Sequence, residues 1–119
     1  MSRALEVARS FEAAWQARDF GTALGYLAKG VVFESPFGRE TGAVMIRQLT
    51  GFAQTVTGPA REISAFGDDE SAIIMSVIPT SVFGEVTSAS HYVVRGDRIT
   101  SETRVYDATA AKTMRPSAS

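Results

Sequence analysis

From residue 71 onward the chain is written in strands joined by very short turns, and this constrains the fold more than any other feature. The segment "SAIIMSVIPTSV" (71–82) is apolar on both faces, as a strand inside a sheet is. The turn "FGE" follows, then "VTSASHYVVR" (86–95), the turn "GD" and "RITSETRVYD" (98–107). Links this short join only antiparallel neighbours, because a parallel crossover needs a dozen residues or more. Upstream, "AREISAF" (60–66) alternates and stops at "GDDE", which adds a fourth strand to the meander. A sheet of this kind must have one face covered.

The N-terminal half supplies the cover. Residues 3–17 read as a helix, with Leu5, Ala8, Phe11, Ala14 and Trp15 at three- and four-residue steps on one face. Asp19 is placed to cap a second helix over 20–29, "FGTALGYLAK", whose Phe20, Leu24 and Leu27 share a face. Gly30 breaks that helix, and "VVFES" (31–35) reads as a short strand stopped by Pro36 and Gly38. Thr41 opens a third helix with Val44, Ile46, Leu49, Phe52 and Ala53 at its apolar positions, and "VTGPA" closes it. Helices first and strands afterwards predict an α+β domain.

Composition narrows the function classes. The 119 residues are 45% hydrophobic and 21% charged, which predicts one soluble domain with a core of its own. Net charge is −1 and the basic residues form no stripe, so the chain lacks the footprint of a nucleic-acid binder. Without cysteine there is no thiolate nucleophile or disulfide, and with His91 as the single histidine a multi-histidine zinc site is out. No cofactor or metal is implied. No apolar run approaches the roughly 18 residues of a membrane span. The N-terminus "MSRALEVARSFEAAW" carries acids, unlike a signal peptide, so a cytoplasmic location without membrane contact is expected. The domain is expected to occupy residues 1–110, with 111–119 as a flexible tail.

Four stretches, in this order and spacing, carry a family resemblance: "WQARDF" (15–20), "VVFESPFGRETG" (31–42), "SHYVVRGDRI" (90–99) and "TRVYD" (103–107). Over about residues 3–108 the chain resembles the nuclear-transport-factor-2-like superfamily, in particular its SnoaL-like and ketosteroid-isomerase-like branch. The resemblance implies a cone, in which a curved antiparallel sheet wraps three helices (a cystatin-like α+β arrangement) and leaves an apolar pocket open at one end. It also implies homodimers through the outer sheet face. It does not fix a chemistry, since this fold hosts isomerases, cyclases, epoxide hydrolases, dehydratases and non-catalytic binding modules.

Carried over residue by residue, the family's best-known chemistries are missing. The three ketosteroid-isomerase positions hold Phe11 (helix tyrosine), Ser35 (aspartate base) and Ser90 (second acid). A serine hydroxyl without a partner base does not abstract a carbon-bound proton near neutral pH, so ketosteroid isomerisation is not expected. Limonene-epoxide-hydrolase-like enzymes use an Arg-Asp pair on the long strand, which here reads "AIIMSVI", and a last-strand aspartate, whose position holds Arg104.

A different constellation remains. Alternation puts Glu102, Arg104 and Tyr106 on one face of the last strand, and Ser88, Ser90 and Tyr92 on one face of its neighbour. The register implied by the resemblance turns both sets into the cone with Phe33 and Ser35, facing Phe11 and Trp15. In that arrangement Arg104 orients an anion, Glu102 moves a proton, and Tyr106 or Tyr92 donates a hydrogen bond to a small apolar carbonyl or anionic compound. Hydrophobicity alone would instead turn Ile99 and Val105 inward and leave Glu102 and Arg104 in solvent, and a one-residue slip would reverse every assignment. His91 and Glu34 alternate outward, unless a bulge at Pro36 turns Glu34 in. Ile73, Met75 and Val77 leave the second face of the long strand partly apolar, which suggests a homodimer. The competing functional reading is a non-catalytic dimeric binding or accessory module, with a cone filled by Phe11, Trp15, Phe33 and Tyr92.

Overall fold

The computed structural model describes residues 2–107 and 109. The tail expected over 111–119 lies outside the described residues. In chain order the elements are α1 (Arg3–Gln16), α2 (Phe20–Leu24), β1 (Leu27–Ser35), β2 (Gly38–Thr41), α3 (Gly42–Ala53), β3 (Arg61–Gly67), β4 (Ser71–Thr80), β5 (Gly84–Arg95) and β6 (Arg98–Tyr106). The class is α+β, three helices against a six-stranded sheet of order β2-β1-β6-β5-β4-β3 that curves without closing. Among the described residues no helix is long and apolar enough to cross a membrane.

Strands β3 to β6 form the expected antiparallel meander. The β5–β6 turn is Gly96-Asp97, with φ of 56° and 63°. Positive φ at both central residues matches the strand twist and makes a two-residue hairpin feasible. Helix α1 begins at Ser2, whose Oγ accepts from the Leu5 amide and donates to the Asp68 carbonyl, tying the helix start to the β3–β4 turn. Its buried face packs Ala8, Phe11 and Trp15 against Ile74, Ile78, Tyr92 and Ile99 of the sheet, and Met45 and Leu49 of α3 join the same core.

Two expectations are corrected. The second helix ends at Leu24, and Leu27 belongs to β1. Residue 27 pairs with Ile99 of β6, and the Ile99 amide donates to the Tyr26 carbonyl at 2.8 Å, so sheet pairing overrides helical spacing from there on. Leu24 is consequently exposed rather than sharing a buried face with Phe20 and Leu27. Gly30, at φ 80°, lies inside β1 near the register shift between Leu27 and Val32 and breaks no helix. The stretch after Pro36 also forms a short strand, β2, paired with the end of β1.

A bulge in β6 settles which of its residues face inward. Val94 pairs with Ile99 and Val93 with Ser101, so Thr100 is an extra residue. The bulge lets Ile99 and Glu102 both be buried, which strict alternation forbids, and beyond it Arg104 is inward and Val105 outward.

Candidate functional site

The β5–β6 register sets Tyr92 opposite Glu102, Ser90 opposite Arg104 and Ser88 opposite Tyr106. Six polar side chains therefore stand in two adjacent rows on the inner face. Helix α1 adds Glu12, one turn after Ala8 and one turn before Trp15, hence on its buried side. Glu102 and Tyr92 are completely buried, and Glu12 and Arg104 nearly so.

These residues form one hydrogen-bonded cluster. Arg104 Nε and Nη2 donate to Glu102 Oε2 at 3.0 and 2.7 Å, and Ser90 Oγ donates to the same oxygen at 3.1 Å. Nη2 also donates to Tyr92 Oη at 3.3 Å, and Tyr92 Oη donates to Glu12 Oε2. Glu12 Oε2 lies 3.7 Å from Nη2. The other guanidinium nitrogen, Nη1, has a 3.4 Å contact to Ser88 Oγ. The guanidinium carbon stands 5.3 Å from the centre of the Trp15 ring, a cation–π contact that helps carry a buried charge. Two buried polar atoms have no hydrogen-bond partner among the described residues, Trp15 Nε1 and Glu102 Oε1.

Two carboxyl groups share one guanidinium. Burial pushes the Glu12 carboxyl above its ordinary range, with attraction to Arg104 and the bond from Tyr92 opposing. Burial likewise raises the Tyr92 phenol well above its usual value, and the neighbouring Glu102 and Glu12 raise it further. Burial works against the Arg104 charge, but Glu102, Tyr92 and Glu12 together outweigh it and hold the guanidinium more firmly protonated than usual. Such a cluster is costly to desolvate, and it persists only because nearly every donor has a partner.

In front of the cluster lies a cavity of about 650 Å³ between α3 and the sheet. Trp15, Phe33, Phe37, Phe52, Phe83 and Tyr106 give its walls an aromatic share, beside the aliphatic Leu49, Ile78 and Val86. Arg104 and Ser88 supply polar lining from the cluster side, and Arg47, Glu85 and Asp107 add charged groups. A few polar groups in a mainly apolar cavity of this size are what small-molecule sites present.

Among the residues singled out in the sequence, Trp15, Phe33, Ser88, Arg104 and Tyr106 line this cavity. Glu102, Ser90 and Tyr92 are joined to Arg104 in the buried cluster, and Phe11 packs edge-on against Tyr92 with ring centres 6.1 Å apart. Ser35 Oγ accepts from the Phe37 amide at the β1–β2 turn. Glu34 is exposed, 3.9 Å from Arg39, and His91 is exposed between Ile73 and Thr103. Glu12 was not among the expected residues. Its signal was its place in "FEAAW", where the spacing to Ala8 and Trp15 puts a carboxylate on the apolar face.

No family model matches the chain, and no curated protein does. Solved structures do match. A protein from Kribbella flavida shares 33% identity over 92% of this chain and 91% of its own, with a TM-score of 0.85. An NTF2-like protein of unknown function from Cytophaga hutchinsonii matches at 15% identity, covering 89% and 91% of the two chains, with a TM-score of 0.75. An LEH-like epoxide hydrolase from M. tuberculosis matches at 18% identity over 93% and 87%, with a TM-score of 0.73. With a relative this similar over nearly its whole length, and with this order of helices and strands, the chain belongs to the nuclear-transport-factor-2-like superfamily.

Proposed function

We propose that the protein is a SnoaL-like small-molecule protein that binds a planar, mostly apolar carbonyl compound in the cavity, where Arg104 and its neighbours stabilise negative charge on the carbonyl oxygen. One observation carries this reading. A cavity of about 650 Å³ with aromatic and aliphatic walls is lined by a guanidinium whose orientation is fixed by Glu102, Tyr92 and Glu12. Arg104, Ser88 and Tyr106 line the cavity, and in this reading they donate to an oxygen of the bound molecule. Donors fixed beforehand around a carbonyl oxygen stabilise negative charge that develops there during reaction. Glu102 does not line the cavity, and its Oε2 already takes three donors. In this reading it positions Arg104 rather than moving the proton itself. Ketosteroid isomerisation stays outside the proposal, because Phe11, Ser35 and Ser90 bring no carboxyl group to the cavity.

The accessory-module reading needs a filled cone. Phe11 and Tyr92 do pack together, but the space beside Trp15 and Phe33 is open, and this favours the ligand reading. Homodimerisation fits either reading and has its own support. On the outer sheet face Phe66 pairs with Ile73, and Met75 and Val105 flank Ala89. Four large apolar side chains, Phe66, Ile73, Met75 and Val105, are exposed there, a patch of the kind that meets a partner. The functional proposal is tested by thermal shift with planar aromatic ketones and esters, read alongside turnover assays. A ligand at 100 times its dissociation constant adds about 2.7 kcal/mol, which raises the midpoint by several degrees.

A further inference from the structure

We propose that Glu12 sets the charge class of ligand the cavity accepts: a carboxylate docking on Arg104 Nη1 draws one proton onto Glu12, whereas a neutral carbonyl docks without proton uptake. This deepens the reading of the cavity as a ligand site and rests on it.

The argument is a count of charges and bonds. Arg104 is one cation beside two carboxyl groups, so the buried cluster has no positive charge left over for a third anion; Arg47, which also lines the cavity, is exposed to solvent. Nε and Nη2 are engaged by Glu102 and Tyr92, leaving Nη1, with its long contact to Ser88, as the part of the guanidinium nearest to free. A ligand carboxylate on Nη1 would place three carboxylates around one buried guanidinium, where like charges so close cannot all remain ionised. One of them takes a proton from the buffer, and no other bond changes. Glu102 already gives its Oε2 to three donors, Nε, Nη2 and Ser90. Glu12 has only the Tyr92 bond and the 3.7 Å approach to Nη2.

The groups facing Glu12 make it the responsive one. From β5 comes Tyr92, and from β6 come Arg104 and Glu102. From β3 comes Glu62, itself held at 2.8 Å by Arg9 of α1. The buried β4 residues Ala72, Ile74, Ser76 and Ile78 are neutral, α2 contains no ionisable residue, and α3 faces the core with Met45, Leu49 and Ala53. Among the described residues no second cation faces Glu12 to hold it ionised once Arg104 is claimed by a ligand.

The test is isothermal titration of the full chain with naphthoate and with methyl naphthoate, from about pH 5 to about pH 9, in two buffers of different ionisation enthalpy. Naphthoate affinity is expected to fall about tenfold per pH unit above the pH at which Glu12 ionises, with close to one proton taken up per ligand there. The ester is expected to bind with no slope and no uptake. In Glu12→Gln the naphthoate slope and uptake vanish, whatever the change in absolute affinity, and the ester still shows neither. If wild-type naphthoate binding is flat and proton-free throughout, the inference fails and the cavity reading stands. A slope that survives in Glu12→Gln also overturns it, since the proton then goes elsewhere. If neither compound binds, the cavity reading fails and takes this inference with it. Should Glu12→Gln not fold, the two-buffer measurement on the wild type decides alone, with uptake near one supporting the inference and near zero refuting it.

Discussion

Glu12 of α1 and Arg104 of β6 stand 3.7 Å apart in the interior, bridged by the hydroxyl of Tyr92. This joins the first helix to the last strand through charge rather than through apolar packing alone. It also makes the charge on a buried helix residue a control on the guanidinium that lines the cavity.

The first consequence is a stability that depends on pH. Below the ordinary carboxylate range Glu12 is protonated in both folded and unfolded chains and contributes no slope. As pH rises, the unfolded chain releases its proton first, because burial raises the folded value. The folded state is then disfavoured until the folded carboxyl has ionised too. Glu12→Gln removes this slope, so its stability relative to wild type should grow with pH through that window. Urea denaturation at a series of pH values measures it, and a constant difference would show that Glu12 ionises normally.

The second concerns the Glu102–Arg104 pair. Glu102→Ala leaves a buried guanidinium without its direct partner and should cost about 3–5 kcal/mol. Replacing both, as Glu102→Leu with Arg104→Met, removes the unpaired guanidinium, leaves buried Glu12 to take up a proton, and should recover part of that loss. Chemical denaturation of the two variants is the check. A double variant as unstable as the single one would mean that apolar side chains cannot fill the space the pair occupies.

The outer sheet face gives the third. Met75→Lys with Val105→Lys places two like charges on the exposed apolar patch. Exposed positions of this kind tolerate substitution within about 0.5 kcal/mol each, so the fold should persist. Light scattering after size exclusion should show a dimer for wild type and a monomer for the variant. A wild-type monomer at micromolar concentration would remove the dimer from the account.

How much of this was legible in the sequence follows from which physical signal each part leaves. The meander was readable because tight turns and alternating strands are local signals. The length of β1 was not, because Leu27 and the residues after it are strand only through pairing with β6, a contact remote in sequence. Alternation alone leaves the inward set Glu102, Arg104 and Tyr106 with an outward alternative, and the bulge at Thr100 is what reconciles buried Ile99 with buried Glu102. Glu12 went unread because a charged residue on a helix is ordinarily taken as solvent-facing. Only its partners Tyr92 and Arg104, far along the chain, make its burial tolerable.

The central claim is that the cavity is a ligand site, and Gly51 offers the most direct test. Gly51 lines the cavity from α3, and an added Cβ there meets no heavy atom within 4 Å. Gly51→Leu should therefore project into open space while stabilising the helix by roughly 0.5–1 kcal/mol. The measurement is the thermal shift produced by a planar aromatic ester in wild type and in Gly51→Leu. The account predicts a rise of several degrees in wild type and little or none in the variant, whose own midpoint is higher. An equal shift in both proteins, or no shift from any planar aromatic in wild type, would contradict it.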